Sequence, residues 1–269
     1  MGKALAEAYP EARAVYDEAD AALGWSLSKL CFEGPVEELT LTANAQPAIL
    51  ATSIAALRVL ARKTDLRPGV VAGHSLGEYS ALVAAGALRL ADAVKVVNLR
   101  GKFMQEAVAP GEGAMAAIVN LDRAGVEAAC AEAARELGAV VSPANHNGGG
   151  QIVIAGAKGA VERASALCKE RGGKVIPLKV SAPFHCALMK PAADRLAAEL
   201  ARIEVMAPAV PVVTNVEAAP NQDAARVCEL LVRQVTAPVR WEESIQRLGA
   251  MGVSGAVEVG VGRVLAGLV

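Results

Sequence analysis

The pentapeptide Gly73-His74-Ser75-Leu76-Gly77 constrains this chain more than any other feature. It fits the pattern G-x-S-x-G and stands between a buried-strand run, Gly69-Val70-Val71-Ala72, and a helix expected near 76–86. A strand that turns directly into a helix is the local unit of an α/β fold. The turn must be tight, so small residues are expected on both sides of Ser75. Such a turn lifts the serine hydroxyl clear of the sheet and aims the following backbone N–H groups, Leu76 first, at a developing oxyanion. With ten serines and twenty-five glycines, composition alone gives about 0.1 such matches per chain before the flanking strand and helix are required. The competing reading is an ordinary glycine-bounded turn.

The rest of the composition agrees with a folded α/β protein. A chain of 269 residues makes one large or two small domains. With 54% hydrophobic and 20% charged residues it is too apolar for a disordered chain, and with 3% aromatics it suits helices packed on aliphatic strands. A net charge of -1 excludes a whole-molecule attraction to nucleic acid or an anionic membrane. Charge is uneven, however: residues 1–40 are acidic and 158–195 basic, which makes Lys169, Arg171 and Lys174 candidates for docking an acidic partner. Cys31, Cys130, Cys168, Cys186 and Cys228 show no CxxC pairing, so neither a disulfide framework nor a metal site is expected. Charges run through Met1 to Pro10 and no apolar run reaches the ~18 residues of a membrane span, so a cytoplasmic protein is expected. Gly260-Val261-Gly262 lacks the third glycine of a dinucleotide loop because Leu265 stands there, and there is no Walker A pattern; no cofactor is expected.

Periodicity predicts a helix over 3–23 ended by Gly24, and a second from the Asn44–Pro47 region to Arg62 with Pro47 in its first turn. A helix near 90–107 follows the elbow helix. Between 113 and 181 the rhythm changes to strand, helix, strand, strand, helix, strand, which is the order of a ferredoxin-like unit. This predicts a subdomain over 111–185 inserted into a larger α/β body formed by 1–110 and 186–269. The body resumes with a helix near 187–202 and strands at 210–214 and 255–259.

A reactive serine needs a base, and the chain has three histidines. His74 adjoins Ser75 but faces away from its hydroxyl in a tight elbow, which suits a structural or pocket-lining role. His146 opens a glycine-rich loop, where solvation is expected. His185 follows a strand, precedes a helix and sits where the insert rejoins the body, and is the candidate base. The acids between Ser75 and His185 lie mostly in expected helices, so a Ser-acid-His triad fits poorly. A dyad with its histidine oriented by a backbone carbonyl supports the same chemistry. Arg100, late in the helix near 90–107, is either a surface residue near a helix end or, turned inward, a fork for a carboxylate.

These segments together resemble a known family. Gly73 to Leu82, Arg100-Gly101-Lys102-Phe103-Met104-Gln105, Gly113 to Ala117 and His185-Cys186-Ala187-Leu188-Met189 closely resemble the bacterial malonyl-CoA:acyl carrier protein transacylases of type II fatty acid synthesis. The likeness extends through Asn44 to Ala48, Gln151 to Gly156, Pro238 to Trp241 and Glu258 to Gly260. It implies an α/β-hydrolase-like large domain with an inserted ferredoxin-like (βαββαβ) subdomain. It implies Ser75 as acylated nucleophile, His185 as acid/base, the Leu76 N–H as oxyanion donor and Arg100 as clamp on the malonyl carboxylate. It also implies a main-chain carbonyl at Arg240 that orients the histidine, and Asn145 and Asn147 at the mouth of the cleft. Malonyl-CoA and acyl carrier protein are the implied partners of a monomer that works by ping-pong acyl transfer. Members carry an upstream strand and a Phe-Pro-Gly-Gln-Gly-Ser-Gln turn with a second oxyanion donor, so the resemblance implies a fragment or mis-started chain. The rival readings are a serine hydrolase or thioesterase, an inactive chain that only binds carrier protein, and a polyketide-pathway variant of the same transferase.

Overall fold

The computed structural model describes residues 1–180 and 182–268. Ser181, at the expected end of the insert's last strand, and Val269 lie outside the described residues.

The first expected helix is two. Pro10 opens a new helix, and the residue before a proline is driven out of the helical region; Tyr9 accordingly sits at φ -136° and ψ 120°. Helix α1 therefore spans Lys3–Ala8 and α2 Pro10–Leu23, the latter ended by Gly24 in the left-handed conformation. Two short helices, α3 (Leu27–Glu33) and α4 (Val36–Leu39), lead to the long α5 (Thr42–Lys63).

Pro47 is not in the first turn of α5 but at its sixth residue. Lacking an N–H, it leaves the Ala43 carbonyl without its intrahelical donor. The Asn98 side chain supplies that donor from α7 (Leu90–Glu106), at 2.8 Å. The helices can meet this closely because Gly101 faces the first turn of α5: a Cβ there would lie 2.6 Å from Ala43 Cα. Around this contact α2, α5, α7 and, later in the chain, residues 190–200 and 224–236 bury the main core, with Tyr16, Leu50, Val97, Leu196 and Leu231 at its centre.

Between α5 and α7 lie strand β1 (Val71–Ala72) and helix α6 (Gly77–Ala84). After α7 come β2 (Gly113–Val119), α8 (Arg123–Leu137), β3 (Val141–Gly148), β4 (Gln151–Ala157), α9 (Lys158–Glu170) and β5 (Lys174–Pro177). Their sheet runs β5-β2-β4-β3, with each of these neighbouring pairs antiparallel. Period-two alternation serves both faces: Ala116, Ile118, Ile152 and Ile154 pack under α8 and α9, while Met115, Ala117, Val153 and Ala155 pack with Cys186.

Helix α10 (Lys190–Leu200), β6 (Val212–Val213), β7 (Pro220–Asn221), α11 (Ala224–Thr236), β8 (Val239–Arg240) and α12 (Trp241–Ala250) follow. β6 pairs in parallel with β1, and β8 joins the β5-β2-β4-β3 sheet as a fifth strand parallel to β3. Two expectations fail here. Residues 255–259 form no strand, because no described strand runs beside them to complete a ladder, and Val257 is 61% exposed. His146 is not in a loop: β3 continues to Gly148, paired with β4, and buries His146 to 3% exposure.

The basic stretch 158–195 is partly neutralised in the fold. Arg163 pairs with Glu136, Arg171 with Glu132, Lys190 with Asp194 and Arg195 with Glu106.

Candidate active site

The turn after β1 is set by one glycine rather than two. A Cβ at Gly73 would lie 2.0 Å from the carbonyl carbon and oxygen of Gly77, so only glycine fits, whereas a Cβ on Gly77 meets nothing within 4 Å. Ser75 is held at φ 51°, a left-handed conformation that costs a non-glycine residue ~1–2 kcal/mol. Asn215 braces the turn: its Oδ1 accepts from the Ser75 N–H at 2.6 Å and its Nδ2 donates to the Gly73 carbonyl at 2.7 Å. The Ser75 N–H is thus engaged. No acceptor among the described residues takes the Leu76 N–H, which stands at the mouth of α6.

Ser75 Oγ lies 2.8 Å from His185 Nε2. His185, also left-handed at φ 60°, is 4% exposed, and its Nδ1 lies 2.8 Å from the Gln234 carbonyl. A carbonyl only accepts, so Nδ1 carries the proton and Nε2 is bare, the tautomer that accepts from the serine hydroxyl. The orienting carbonyl is therefore that of Gln234, not Arg240. The Arg240 carbonyl opens α12 and accepts from Ser244 Oγ at 2.8 Å. Gln234 lies in the last turn of α11, and the residue four positions on is Pro238, which has no N–H to give; its carbonyl is left for the imidazole.

Arg100 turns inward from α7 and is 2% exposed, so it is no surface residue. Its Nη1 donates to Gln46 Oε1 at 2.7 Å, and its Nη2 donates to Ser75 Oγ at 3.1 Å and Gln234 Oε1 at 2.9 Å. Its Nε is buried with no hydrogen-bond partner. Asn147 Oδ1 lies 2.9 Å from His74 Nε2, and Asn147 Nδ2 donates to Gln151 Oε1 at 2.8 Å. His74 packs beside Trp241, the ring centroids 5.7 Å apart. Asn145 is buried on β3 opposite Val239 and makes no direct bond to Ser75, His185 or Arg100.

Four residues not foreseen complete the arrangement: Gln46, Glu78, Asn215 and Gln234. Glu78, 1% exposed, accepts on Oε2 from the Asn215 N–H at 3.0 Å and from Gln234 Nε2 at 2.8 Å. Burial pushes its carboxyl up to about 7, against the pull of those two donors and of Arg100. Burial, then the Arg100 charge, pushes His185 down to about 3. Because this folded value lies below the ordinary histidine value of 6.5, stability from His185 is present above pH 6.5 and is lost as pH falls toward about 3. The same shift keeps the imidazole neutral. The rate at which Ser75 is acylated is expected to stay level from about pH 5 to about pH 8, with no acid limb near an ordinary histidine pKa. Rapid-quench mass spectrometry across that range checks this; a limb near 6.5 that persists in Glu78→Gln would show a solvated imidazole.

Among the described residues no helix is long and apolar enough to cross a membrane, and no group of three or more potential metal ligands clusters. The model of the family described as "Acyl transferase domain" matches residues 1–266. The malonyl CoA-acyl carrier protein transacylase of Salmonella typhimurium is 53% identical over 265 residues, covering 98% of this chain and 85% of that protein. That of Bacillus subtilis strain 168 is 52% identical over 270 residues, covering 100% of this chain and 84% of that protein. The crystal structure of an acyl carrier protein S-malonyltransferase from Vibrio cholerae superposes with a TM-score of 0.95 at 50% identity, over 98% of this chain and 86% of that one. A malonyl-transacylase in complex with its type II PKS acyl-carrier protein gives 0.96 at 49% identity, over 100% of this chain and 86% of that one. The half-buried serine and the buried histidine and arginine thus sit in a chain matched almost from end to end by acyl-transferring relatives, and the chain belongs to the acyl transferase domain family.

Proposed function

We propose that the chain transfers a malonyl group from malonyl-CoA to the phosphopantetheine thiol of acyl carrier protein, through a malonyl ester on Ser75. One observation carries this reading: Ser75 Oγ stands within hydrogen-bond reach of both a neutral imidazole at 2.8 Å and a buried guanidinium at 3.1 Å. The first activates a nucleophile; the second offers a site for an acyl group that bears a carboxylate.

In the first half-reaction Ser75 Oγ attacks the thioester carbonyl as its proton passes to His185 Nε2. The Leu76 N–H donates to the oxyanion of the tetrahedral adduct. The adduct collapses by breaking the C–S bond, and the proton on Nε2 goes to the departing CoA sulfur. In the second half the carrier protein's thiol gives its proton to Nε2 and attacks the ester. The C–O bond breaks and Ser75 recovers the proton. The carbonyl of Gln234, at the negative end of α11, holds the ring and favours the transient imidazolium. Arg100 Nε and Nη2 lie on one edge of the guanidinium, so a malonyl carboxylate that takes the place of Ser75 Oγ on Nη2 accepts two parallel bonds and satisfies the orphaned Nε. Asn147, fixed through His74, and Asn145 line the approach on β3.

Fatty acid synthesis in the cytoplasm is the proposed setting. The five cysteines are all unpaired thiols, which suits a reducing compartment, and every group of the site comes from one chain, which suits a monomer. Intact-mass measurement of the whole chain after brief exposure to malonyl-CoA tests the reading. One malonyl increment is expected, discharged by phosphopantetheinylated carrier protein much faster than by water. Discharge by water at an equal rate would mark a hydrolase, and a folded chain that gains no increment would overturn the transfer reading.

A further inference from the structure

The buried carboxyl of Glu78 has no part in the proton transfers above, yet it is bonded into the site. A buried acid is expensive, and a helix position packed in a core is satisfied by an aliphatic residue without that cost. What Glu78 holds is the amide of Gln234, itself fully buried. The two ends of that amide meet opposite chemistry. Gln234 Nε2 donates to Glu78 Oε2 at 2.8 Å and to the Ser75 carbonyl at 3.0 Å, while Gln234 Oε1 accepts from Arg100 Nη2 at 2.9 Å. A carboxyl oxygen that accepts lies on one side and a guanidinium that only donates lies on the other, so a single orientation satisfies both. Arg100 is then gripped between two amide oxygens, Gln46 Oε1 on Nη1 and Gln234 Oε1 on Nη2, with Ser75 Oγ also on Nη2 and Nε the one nitrogen left without a partner.

We infer that Glu78 is a positioning residue for acyl-group selection: its Oε2, acting through the Gln234 amide, fixes the edge that Arg100 presents to the carboxylate of the incoming acyl group. The inference rests on the proposed role of Arg100 in holding a malonyl carboxylate. It assigns the effect to an accepting oxygen at position 78 rather than to its charge. An acetyl group has no carboxylate for Arg100 to hold, so loss of this positioning falls on malonyl loading and spares acetyl loading. A residue needed only for folding would depress both together.

The test measures kcat/KM for loading of Ser75 from malonyl-CoA and from acetyl-CoA in the full chain, together with the melting temperature. In Glu78→Met, which keeps length and removes both oxygens, malonyl loading is expected to fall about 10- to 100-fold and acetyl loading less than about threefold. In Glu78→Gln, which can place an accepting oxygen where Oε2 stands, the ratio is expected to stay within about threefold of the unaltered chain. An unchanged ratio in Glu78→Met, or a collapsed ratio in Glu78→Gln, overturns the inference. Should Glu78→Met fail to fold, the double variant Glu78→Met with Gln234→Met replaces it, since it leaves no unpaired amide beside the thioether. Its ratio is expected to equal that of Gln234→Met alone, and a further loss overturns the inference. If the unaltered chain does not load malonyl at all, the proposed function falls and this inference with it; if it loads and the ratio behaves otherwise than stated, only the inference falls.

Discussion

Replacing Ser75 by alanine is expected to abolish the malonyl increment and to lower transfer to carrier protein by about 10⁴-fold or more, the usual scale for removing a nucleophile that acts as a unit with its base. Among the described residues no other hydroxyl is bonded to His185 Nε2. Ser75 Oγ is the atom that His185 Nε2 and Arg100 Nη2 share. The fold should hold, because alanine keeps the Cβ already carried at φ 51° and keeps the backbone N–H bonded to Asn215. A Ser75→Ala chain with a near-native melting temperature and no adduct is the expected result. A surviving adduct would place the nucleophile elsewhere.

Arg100→Ala is the second large effect expected, and it differs in kind. Malonyl loading should fall about 10²- to 10³-fold while acetyl loading holds or rises, because a charge-assisted two-point bond is lost only by the acyl group that has a carboxylate. Stability should fall as well. Gln46 Oε1 and Gln234 Oε1 lose their donor, and a buried polar group left unpaired costs about 1–3 kcal/mol. Lysine should rescue little: one ammonium cannot serve Gln46, Gln234 and a carboxylate from the positions the planar fork occupies. Loading rates with the two acyl-CoAs, measured beside thermal melting, separate the two losses. Equal falls with malonyl- and acetyl-CoA would show that Arg100 supports the fold and not the choice of substrate.

The residues of the candidate site were legible where chemistry narrows the choice. Ser75 announces itself by a glycine-bounded turn between strand and helix, His185 by being one of only three histidines, and Arg100 through the resemblance of its surrounding segment. The polar frame was not legible in the same way, because Gln46, Glu78, Asn215 and Gln234 belong to residue types common on any surface. Gln234 did carry a signal. It sits among Val227, Leu230, Leu231 and Val235 on the buried side of α11, where a polar residue needs partners. That helix went unforeseen, and with it the orienting carbonyl, which the resemblance put at Arg240. The failed strand at 255–259 has another cause: a run of small and apolar residues fits a pleat, but a strand is defined by its neighbour. His146 went astray because the three glycines that follow it mark the tip of the β3–β4 hairpin, and the strand runs up to that tip.

The vacancy that Pro238 leaves at the end of α11 bears on how this site can change over time. The group that steers the His185 ring is a main-chain oxygen, so exchanging the side chain at position 234 alters what Arg100 feels but cannot delete the acceptor itself. A rival for that oxygen can arise only from a new N–H nearby, and position 238, where proline has none, is the place to find one. The same arrangement recurs in α5, where Pro47 frees the Ala43 carbonyl for Asn98. Heritable control of the imidazole thus resides four residues downstream of the atom that exerts it, in a side chain that touches none of the chemistry.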